Sequence, residues 1–401
     1  MAASQALTRG DPLGALRHVA LRSDPPALAL RGVSMAQLGE LSLSRKLLSR
    51  AARAFRGRDP GAYARCVAAE AEVLLECRDL AAAGKSLETA LTLLDACEDR
   101  ENAWFCRLQL SRRLVLVGRL GDADRDLSRL ERKGIPPRMR ALAELLAADI
   151  AVRRIRPDQA RAALERALAA AVSSGIAALV AEVRRKLREL EAPVGTLSEQ
   201  GAERLVTLQD VAKLAASPDV LVDTCRREVR EGKVAVPLLG RPVLLALARA
   251  LGEAWPHDAH REALIQAAFG GLRPTESIRA RLRVEIGRLR RALAPIAEVN
   301  ATARGFALAP RSGRAVRVLH PPTGGDAGAL RALLSGGEPW STGALAEALG
   351  TSARTVQRAL LELEKSGSAR AIGKGRARRW VAADLPGFAT SLLLVARLPR
   401  H

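Results

Sequence analysis

The sequence predicts a mainly helical protein in which a long array of helices precedes two small domains of mixed helices and strands. Three observations support this fold class. Aromatic residues make up only 2% of the 401 residues, so small and aliphatic residues must fill the cores, and Ala and Leu favour helices. Residues 25–191 show helical periodicity. Short β-branched segments bounded by Gly begin at Val220.

Residues 1–191 are predicted as one helical-repeat domain. Turns separate its helices at regular intervals. Turns are predicted near residues 39–41, 77–80, 118–122 and 154–157, a spacing of roughly 36–40 residues. The helices that follow carry small and aliphatic residues on one stripe, including Ala83, Leu87, Ala90, Leu94, Ala123, Leu127, Ala160, Leu164 and Ala167.

This pattern resembles an α-solenoid of the tetratricopeptide type, although the Trp, Tyr and Pro positions of that repeat are largely missing. A generic helical bundle is the alternative. Either arrangement implies a regulatory or interaction domain rather than a catalytic one. Pro193 and Gly195 break the last helix, and they predict a linker over residues 192–218 with one short helix near its end.

Residues 219–318 are predicted as the first small domain, with strands from Val220, three helices over 242–252, 260–269 and 277–293, and a hairpin over 299–308. The series Leu282-x-Val284-x-Ile286-x-x-Leu289-Arg290-x-x-Leu293, followed by Ala301-Thr302-x-Arg304-Gly305-x-x-Leu308, resembles the winged-helix effector domain of OmpR/PhoB-class response regulators. That class usually carries a receiver domain with a phosphorylatable Asp. The helical region before residue 191 lacks the alternating strands of such a receiver.

The third helix of this domain is the first candidate recognition helix. Its aliphatic residues fall on one stripe that would pack into the domain, whereas its arginines fall away from the stripe or at its margins. Arg can grip a guanine edge or a phosphate with two parallel hydrogen bonds. A solvated surface charge is the alternative for any single Arg. The predicted DNA contacts are Arg279, Arg281, Arg283, Arg288 and, at the hairpin bend, Arg304.

Residues 326–383 are predicted as a second small domain, followed by a tail over 384–401. The series Leu345-Ala346-x-x-Leu349-Gly350-x-Ser352-x-x-Thr355-Val356-x-Arg358-x-Leu360 resembles the helix-turn-helix of bacterial repressors, and a basic hairpin follows it, as in a winged helix. Gly350 would allow the tight turn, Ser352 would cap the second helix, and Gly367 would end it. The predicted DNA contacts are Ser352, Arg354, Thr355, Gln357 and Arg358 on the helix, and Lys374, Arg376, Arg378 and Arg379 on the hairpin.

The charge supports a nucleic-acid partner. The formal net charge is +21, and residues 218–401 carry a net +13 against +8 for residues 1–217. Biased codon usage is the alternative, since 56 of the 64 basic residues are Arg. The sequence therefore predicts a bacterial, cytoplasmic transcription regulator that binds double-stranded DNA sequence-specifically, docks a protein or peptide at its N-terminal domain and could form a homodimer. The alternative is an interaction scaffold whose winged helices dock proteins.

Several other functions are not expected. The N-terminus lacks the features of a signal peptide, and apolar segments are too short to span a membrane. No catalytic constellation stands out, so neither an enzyme, a cofactor nor a metal is expected; His257, Asp258 and His260 are interpreted as a polar loop. The five cysteines are expected to be buried and free, with redox sensing left open for the four in the helical region.

Overall fold

The computed structural model describes residues 2–130, 134–270, 275–321, 340–349, 351–365, 369–372 and 378–382, together with Leu330, Leu333, Leu334 and Gly375. This part of the chain is mainly helical, with a small mixed sheet. The chain divides at Leu190 and Glu191 into two compact units, which we call the N-terminal and the C-terminal unit. Within the described ranges, every helix is too short or too polar to cross a membrane.

The described part of the N-terminal unit is built from helices alone. From α1 to α10 each helix packs against its neighbour in the chain, and α1, α3, α5, α7 and α9 also contact one another in succession; α11 adds Leu179 and Val183 to the same core. One continuous aliphatic core results. The helices are α1 (Ala2–Thr8), α2 (Pro12–Val19), α3 (Pro25–Gln37), α4 (Leu41–Phe55), α5 (Pro60–Glu76), α6 (Leu80–Ala96), α7 (Arg100–Leu116), α8 (Leu120–Arg129), α9 (Pro137–Arg153), α10 (Pro157–Ser174) and α11 (Ala177–Glu191).

Six turns of this unit, including those at Gly10 and Glu98, share one backbone geometry. The other four lie where the sequence predicts turns. Each has a residue in the left-handed region, at Gly39, Arg78, Gly118 and Ile155, so the turns are 39, 40 and 37 residues apart. The amide of the next residue donates to the carbonyl five positions earlier, as Asp79 N does to Leu74 O at 2.9 Å. This is the Schellman arrangement that satisfies the last carbonyls of a helix.

The packing after each of these four turns repeats as well. The residue five positions after the left-handed residue is small and fully buried, and the residue four positions further on is a buried Leu. Small side chains at these points let the helix lie close to its partner. The equivalent pairs are Ser44 and Leu48, Ala83 and Leu87, Ala123 and Leu127, and Ala160 and Leu164.

A charged network lies inside this core. The Glu72 side chain of α5 is fully buried, and Gln109 Nε2 donates to its Oε1 at 3.1 Å. Its Oε2 has no hydrogen-bond partner among the described residues. Burial raises the pKa of Glu72 well above its ordinary value, and the nearby Arg112 guanidinium, which is paired with Glu76, offsets this only in part.

The prediction of five buried cysteines is wrong for three of them. Cys66 and Cys106 lie buried within helices, but Cys77, Cys97 and Cys225 are exposed. Cys77 and Cys97 are the residues that directly follow α5 and α6, and Cys225 lies in the turn after a strand. Helix ends and turns lie at the surface, so the usual burial of cysteine does not predict its exposure there.

The C-terminal unit combines short strands with helices. Its strands are β1 (Gly195–Glu199), β2 (Ala202–Val206), β3 (Val220–Asp223), β4 (Glu228–Glu231), β5 (Val234–Pro237), β6 (Ala259–His260), β7 (Ala297–Ala301), β8 (Gly305–Pro310), β9 (Val316–His320), β10 (Ala369–Ile372) and β11 (Arg379–Ala382). Its helices are α12 (Leu208–Ala216), α13 (Pro242–Ala254), α14 (Arg261–Phe269), α15 (Glu276–Leu293), α16 (Thr342–Leu349) and α17 (Ala353–Lys365).

Six strands form one mixed sheet in the order β2-β1-β9-β3-β4-β5. Strand β9 lies in the middle of the sheet, between β1 and β3, and runs antiparallel to β1 and parallel to β3. The prediction of a linker over residues 192–218 is therefore wrong for β1 and β2, although its short helix is confirmed as α12. The partner of β1 lies more than 100 residues later, and no local pattern reveals such a pairing.

We call residues 195–320 the first module. One face of its sheet packs on α13, where Gly252 leaves room for the sheet, since a Cβ there would lie 2.8 Å from Val318 Cγ2. A second sheet, in the order β6-β8-β7, combines β6, which precedes α14, with the β7–β8 hairpin that follows α15. The three predicted helices and the closing hairpin are confirmed, with bounds that differ by at most two residues. The predicted strands from Val220 are confirmed as β3, β4 and β5, which are antiparallel to one another but belong to a mixed sheet.

We call the described residues between Leu330 and Ala382 the second module. Helices α16 and α17 pack with the β10–β11 hairpin around a separate core, and Trp340 pairs with Trp380 through two backbone hydrogen bonds of 2.9 and 2.7 Å. The predicted helix pair and hairpin are confirmed here. Gly350, Gly367, the tail over 384–401 and residues 326–329 at the start of the predicted domain lie outside the described residues.

We predict that Glu72→Gln stabilises the protein at neutral pH. The unfolded chain releases the Glu72 proton near pH 4.5, whereas the folded chain retains it to higher pH. Folding therefore takes up a proton, and wild-type stability falls as the pH rises above 4.5. Urea unfolding at several pH values should show the gain of E72Q growing from pH 4.5 to 7. The exposed Glu88→Gln is the control; an E72Q gain that is independent of pH would contradict the prediction.

We also predict opposite effects for two glycines of the first module. A Cβ on Gly305 would lie 1.8 Å from Ala259 O, so Gly305→Ala must force β6 and β8 apart and destabilise by about 1–3 kcal/mol. Gly287, within α15, has nothing within 4 Å of such a Cβ, and Gly287→Ala should stabilise by up to about 1 kcal/mol. Thermal unfolding distinguishes the two, and equal midpoints would refute this account.

Candidate nucleic-acid interface

Helix α15 separates an aliphatic from a cationic face. Leu282, Ile286, Leu289 and Leu293 are at most 2% exposed, so the predicted buried stripe is confirmed. The helix begins after Thr275, whose Oγ1 accepts the Ile278 amide at 3.4 Å. Burial of this stripe fixes the rotation of α15 about its axis. The four DNA contacts predicted on the helix are therefore exposed, namely Arg279, Arg281, Arg283 and Arg288.

These arginines are held only by weak contacts. Glu276 lies 2.7 Å from Arg283 and 3.7 Å from Arg279, and Arg288 contacts Glu285 at 2.7 Å. The four guanidinium-bearing side chains remain accessible, and exposed ion pairs contribute at most about 1 kcal/mol. Arg281 stacks over Phe269 with 4.7 Å between its Cζ and the ring centre. A phosphate or base edge could replace the exposed Glu276 carboxylate at little cost, whereas Glu285, only 12% exposed, would keep its contact with Arg288.

The bend between β7 and β8 is held by side chains of the segment around β6. Arg261 donates from Nη1 to Ala303 O at 2.7 Å and from Nη2 to Thr302 O at 3.1 Å. Thr302 Oγ1 donates to Asp258 Oδ2 at 2.6 Å, and this bond lowers the pKa of Asp258. Arg304 projects from the bend with 71% of its side chain exposed, and its Nε is 4.0 Å from Asp258 Oδ1. Sequence reasoning missed Arg261, because the bend lies about 40 residues further along the chain.

Helix α17 shows the same division of faces. Ser352 Oγ accepts the Thr355 amide at 3.1 Å, so the predicted N-cap is confirmed. The aliphatic residues Val356, Leu360 and Leu363 are buried, as predicted. The exposed residues include the predicted contacts Arg354, Gln357 and Arg358.

Ser352 and Thr355 serve the helix itself. Their two hydroxyl oxygens are 2.9 Å apart and hydrogen bonded, and Ser352 Oγ also accepts an amide. Ser352 is exposed and Thr355 is half-buried, so both lie at the solvent edge of the helix start. The Thr351 amide donates to Ala346 O at 3.0 Å, which closes the turn between α16 and α17.

The β10–β11 hairpin is anchored by Trp380. Its ring is 1% exposed, and Nε1 donates to Thr342 Oγ1 at 3.2 Å. Arg378 lies over this ring at 4.5 Å from the centre and 3.9 Å from Glu364 Oε2, while Arg379 Nη1 donates to Arg378 O at 3.1 Å. Arg378 is exposed and Arg379 half-buried. The predicted contacts Lys374 and Arg376 lie outside the described residues.

Two exposed aliphatic residues occupy equivalent positions on α15 and α17. Val284 is 54% exposed and Leu361 is 42% exposed, and each lies nine residues after the N-cap of its helix. Each also has an Arg three positions earlier, Arg281 and Arg358 respectively. Sequence reasoning missed both, although their place opposite the buried stripe was visible in the periodicity.

The polar loop before β6 takes part in the bend rather than in a separate site. Asp258 receives the Thr302 hydroxyl, and the backbone of His260 pairs with Gly305. Among the described residues, no three His, Cys, Asp or Glu side chains are grouped so that they could hold a metal ion.

Comparison with models of protein families, with curated proteins and with solved structures found no match to the chain. The two modules themselves therefore carry the functional argument. Each has a helix with a buried aliphatic stripe, exposed arginines and a following antiparallel hairpin.

We predict that Ser352→Ala destabilises the second module by about 1 kcal/mol, because α17 would lose its N-cap. Ser352→Asp should retain most of the stability, since a carboxylate caps equally well. Chemical denaturation followed by tryptophan fluorescence reports this core, which contains Trp340 and Trp380, once the other two tryptophans, Trp104 and Trp255, are replaced by Phe. A loss for Asp as large as that for Ala would refute the capping role.

Proposed function

We propose that the protein is a sequence-specific transcription regulator that binds double-stranded DNA through both modules. One observation carries the proposal: the same arrangement of a capped amphipathic helix with outward-facing arginines and a following hairpin occurs twice in one unit. An α-helix fits the major groove of B-form DNA, and Arg is the residue that most often reads guanine there. A regulator of this kind would act in the cytoplasm.

The finer fold assignment is part of the proposal. The first module would be a winged helix similar to the OmpR/PhoB-class effector domain, with α15 as the recognition helix and β7–β8 as the wing. The second module would be a repressor-type winged helix-turn-helix, with α16–α17 and the β10–β11 hairpin. The order of helices and hairpins in each module supports this assignment.

The residues would divide between positioning and reading. Cations on the hairpins would contact phosphates, which fix the register of a protein on DNA but carry no sequence information. Side chains on α15 and α17 would contact base edges, and Val284 and Leu361 are suited to the thymine methyl group. The phosphate contacts would be Arg304, Lys374, Arg376, Arg378 and Arg379. The base contacts would be Arg279, Arg281, Arg283, Arg354, Gln357 and Arg358, and Arg288 would be a further DNA contact on α15.

The N-terminal unit would control this activity by docking a protein or peptide. Its repeated turns, the buried pairs that follow them and the contacts among alternate helices support a solenoid similar to tetratricopeptide repeats. Repeats of this kind stack into extended binding surfaces. The proposal requires no enzyme activity and no cofactor.

The direct test is selection of duplexes from a genomic fragment library by the full-length protein. We expect retained duplexes to share a sequence motif, and the logarithm of the affinity to fall linearly with the logarithm of the salt concentration. Retention of no duplex would exclude the proposal and favour the interaction scaffold. Binding without salt dependence would exclude phosphate neutralisation.

We predict different effects for two arginines of the second module. Arg358→Ala should relax the sequence preference at one or two positions of the selected site, at a cost of about 1–3 kcal/mol on the preferred sequence. Arg378→Ala should weaken all sequences about equally and reduce the salt slope by about one. Competition binding with a set of point-substituted duplexes measures both. Equal loss of preference in the two variants would contradict the assigned roles.

A further inference from the structure

A basic cavity lies beside α15, and of the arginines that line it only Arg288 is among the contacts proposed above. Its volume is about 650 Å³, and it is lined by the C-terminal half of α15 and by the segment that starts α13. Arg288 and Arg291 come from α15, and Arg241 comes from the residue before α13. These side chains are neighbours only because α13 packs against α15 in the core of the first module.

The charge in this cavity is not neutralised. Glu285 also lines it, but this carboxylate, only 12% exposed, is paired with Arg288 at 2.7 Å. The guanidinium groups of Arg241 and Arg291 have no ion-pair or hydrogen-bond partner among the residues that the structure describes. Two unpaired cations around one cavity repel each other, and an anion between them would remove that repulsion.

The backbone at the start of α13 adds to this field. Arg241 is the N-cap residue and its side chain makes no capping hydrogen bond, while Pro242 occupies the first helical position. Val243 and Leu244, in the first turn, line the same cavity. First-turn amides have no partner within the helix, and they favour negative charge.

The cavity lies on the side of α15 away from its hairpin. Arg290, on the other side, donates from Nε to Val299 O of β7 at 2.6 Å. A helix with its side chains is about 10–12 Å wide and the major groove is about 12 Å wide, so a helix in the groove has a phosphate backbone along each side. The hairpin would approach one backbone with Arg304, and the cavity would meet the other.

We propose that the Arg241–Arg288–Arg291 cavity binds a phosphodiester group of the DNA backbone, so that the first module straddles the major groove. The inference rests on the proposed DNA binding, but it adds a second line of phosphate contact and two residues, Arg241 and Arg291, to the interface. Arg is suited to this contact because its planar group can donate two parallel hydrogen bonds to a phosphate.

The test uses the full-length protein and a duplex selected from the genomic library. Single phosphates of that duplex are replaced, one at a time, by the neutral methylphosphonate, and dissociation constants are measured by fluorescence anisotropy. We expect Arg291→Ala to weaken binding about tenfold or more and to lower the salt slope by about 0.9. One methylphosphonate should weaken wild-type binding similarly, but should cause no further loss in R291A. Arg241→Ala should behave in the same way.

Two further variants separate this role from general charge and from folding. Arg314→Ala removes an exposed cation from the turn between β8 and β9, at the opposite end of β8 from the bend that holds Arg304. R314A should keep wild-type affinity and sensitivity to methylphosphonate. Arg291→Lys keeps the charge and should retain the salt slope while losing part of the affinity. Unchanged melting temperatures of R241A and R291A would show that the module remains folded.

Several outcomes would overturn the inference. If R241A and R291A bind the selected duplex with wild-type affinity and salt slope, the cavity takes no phosphate, while the proposed function stands. Additive losses from R291A and every methylphosphonate would exclude a direct contact. Binding of poly-L-glutamate that is lost in R291A, with duplex binding unchanged, would assign the cavity to an acidic protein segment. If the wild-type protein retains no duplex at all, the DNA-binding proposal fails and the inference fails with it.

Discussion

The rotation of α15 about its own axis decides which side chains the first module presents to solvent, and burial of aliphatic groups sets that rotation. Leu282 and Leu289 are almost inaccessible. Burying one such side chain stabilises by about 1.5–3 kcal/mol, whereas an exposed ion pair like that of Arg283 with Glu276 contributes at most about 1 kcal/mol. The aliphatic stripe therefore dominates, and the arginines take the remaining face. Helix α17 follows the same constraint in the second module.

The described strands of the two hairpins are held by different partners. In the first module, the exposed Arg261 donates to two carbonyls of the bend and so positions the loop that holds Arg304. In the second, the ring of Trp380 fills the core and its backbone pairs with Trp340. In both modules, side chains of the same module hold the hairpin backbone, and the exposed cations remain accessible to a ligand. A site on a preorganised support loses less conformational entropy on binding than one on a mobile loop.

The N-terminal unit shows how packing can override local preference. Gly39 and Gly118 adopt the left-handed conformation without penalty, but Arg78 and Ile155 adopt it at equivalent turns at a cost of about 1–2 kcal/mol each. The Schellman hydrogen bonds and the buried pairs after each turn offset that cost. The positions of these turns are therefore specified as much by the buried side chains that follow each turn as by the presence of glycine.

The sequence by itself determined the helices, their buried faces, the strands from Val220 and both hairpins, because each depends on neighbours within a few turns of chain. It also determined that the predicted arginines of α15 and α17 are exposed. It did not reveal β1, β2 or β9, since short strands are stabilised by partners distant in sequence, nor that the hydroxyls of Ser352 and Thr355 are hydrogen bonded to each other. Only the tertiary structure brought Arg241 beside Arg288 and Arg291, because their proximity depends on how α13 packs against α15 rather than on any local pattern.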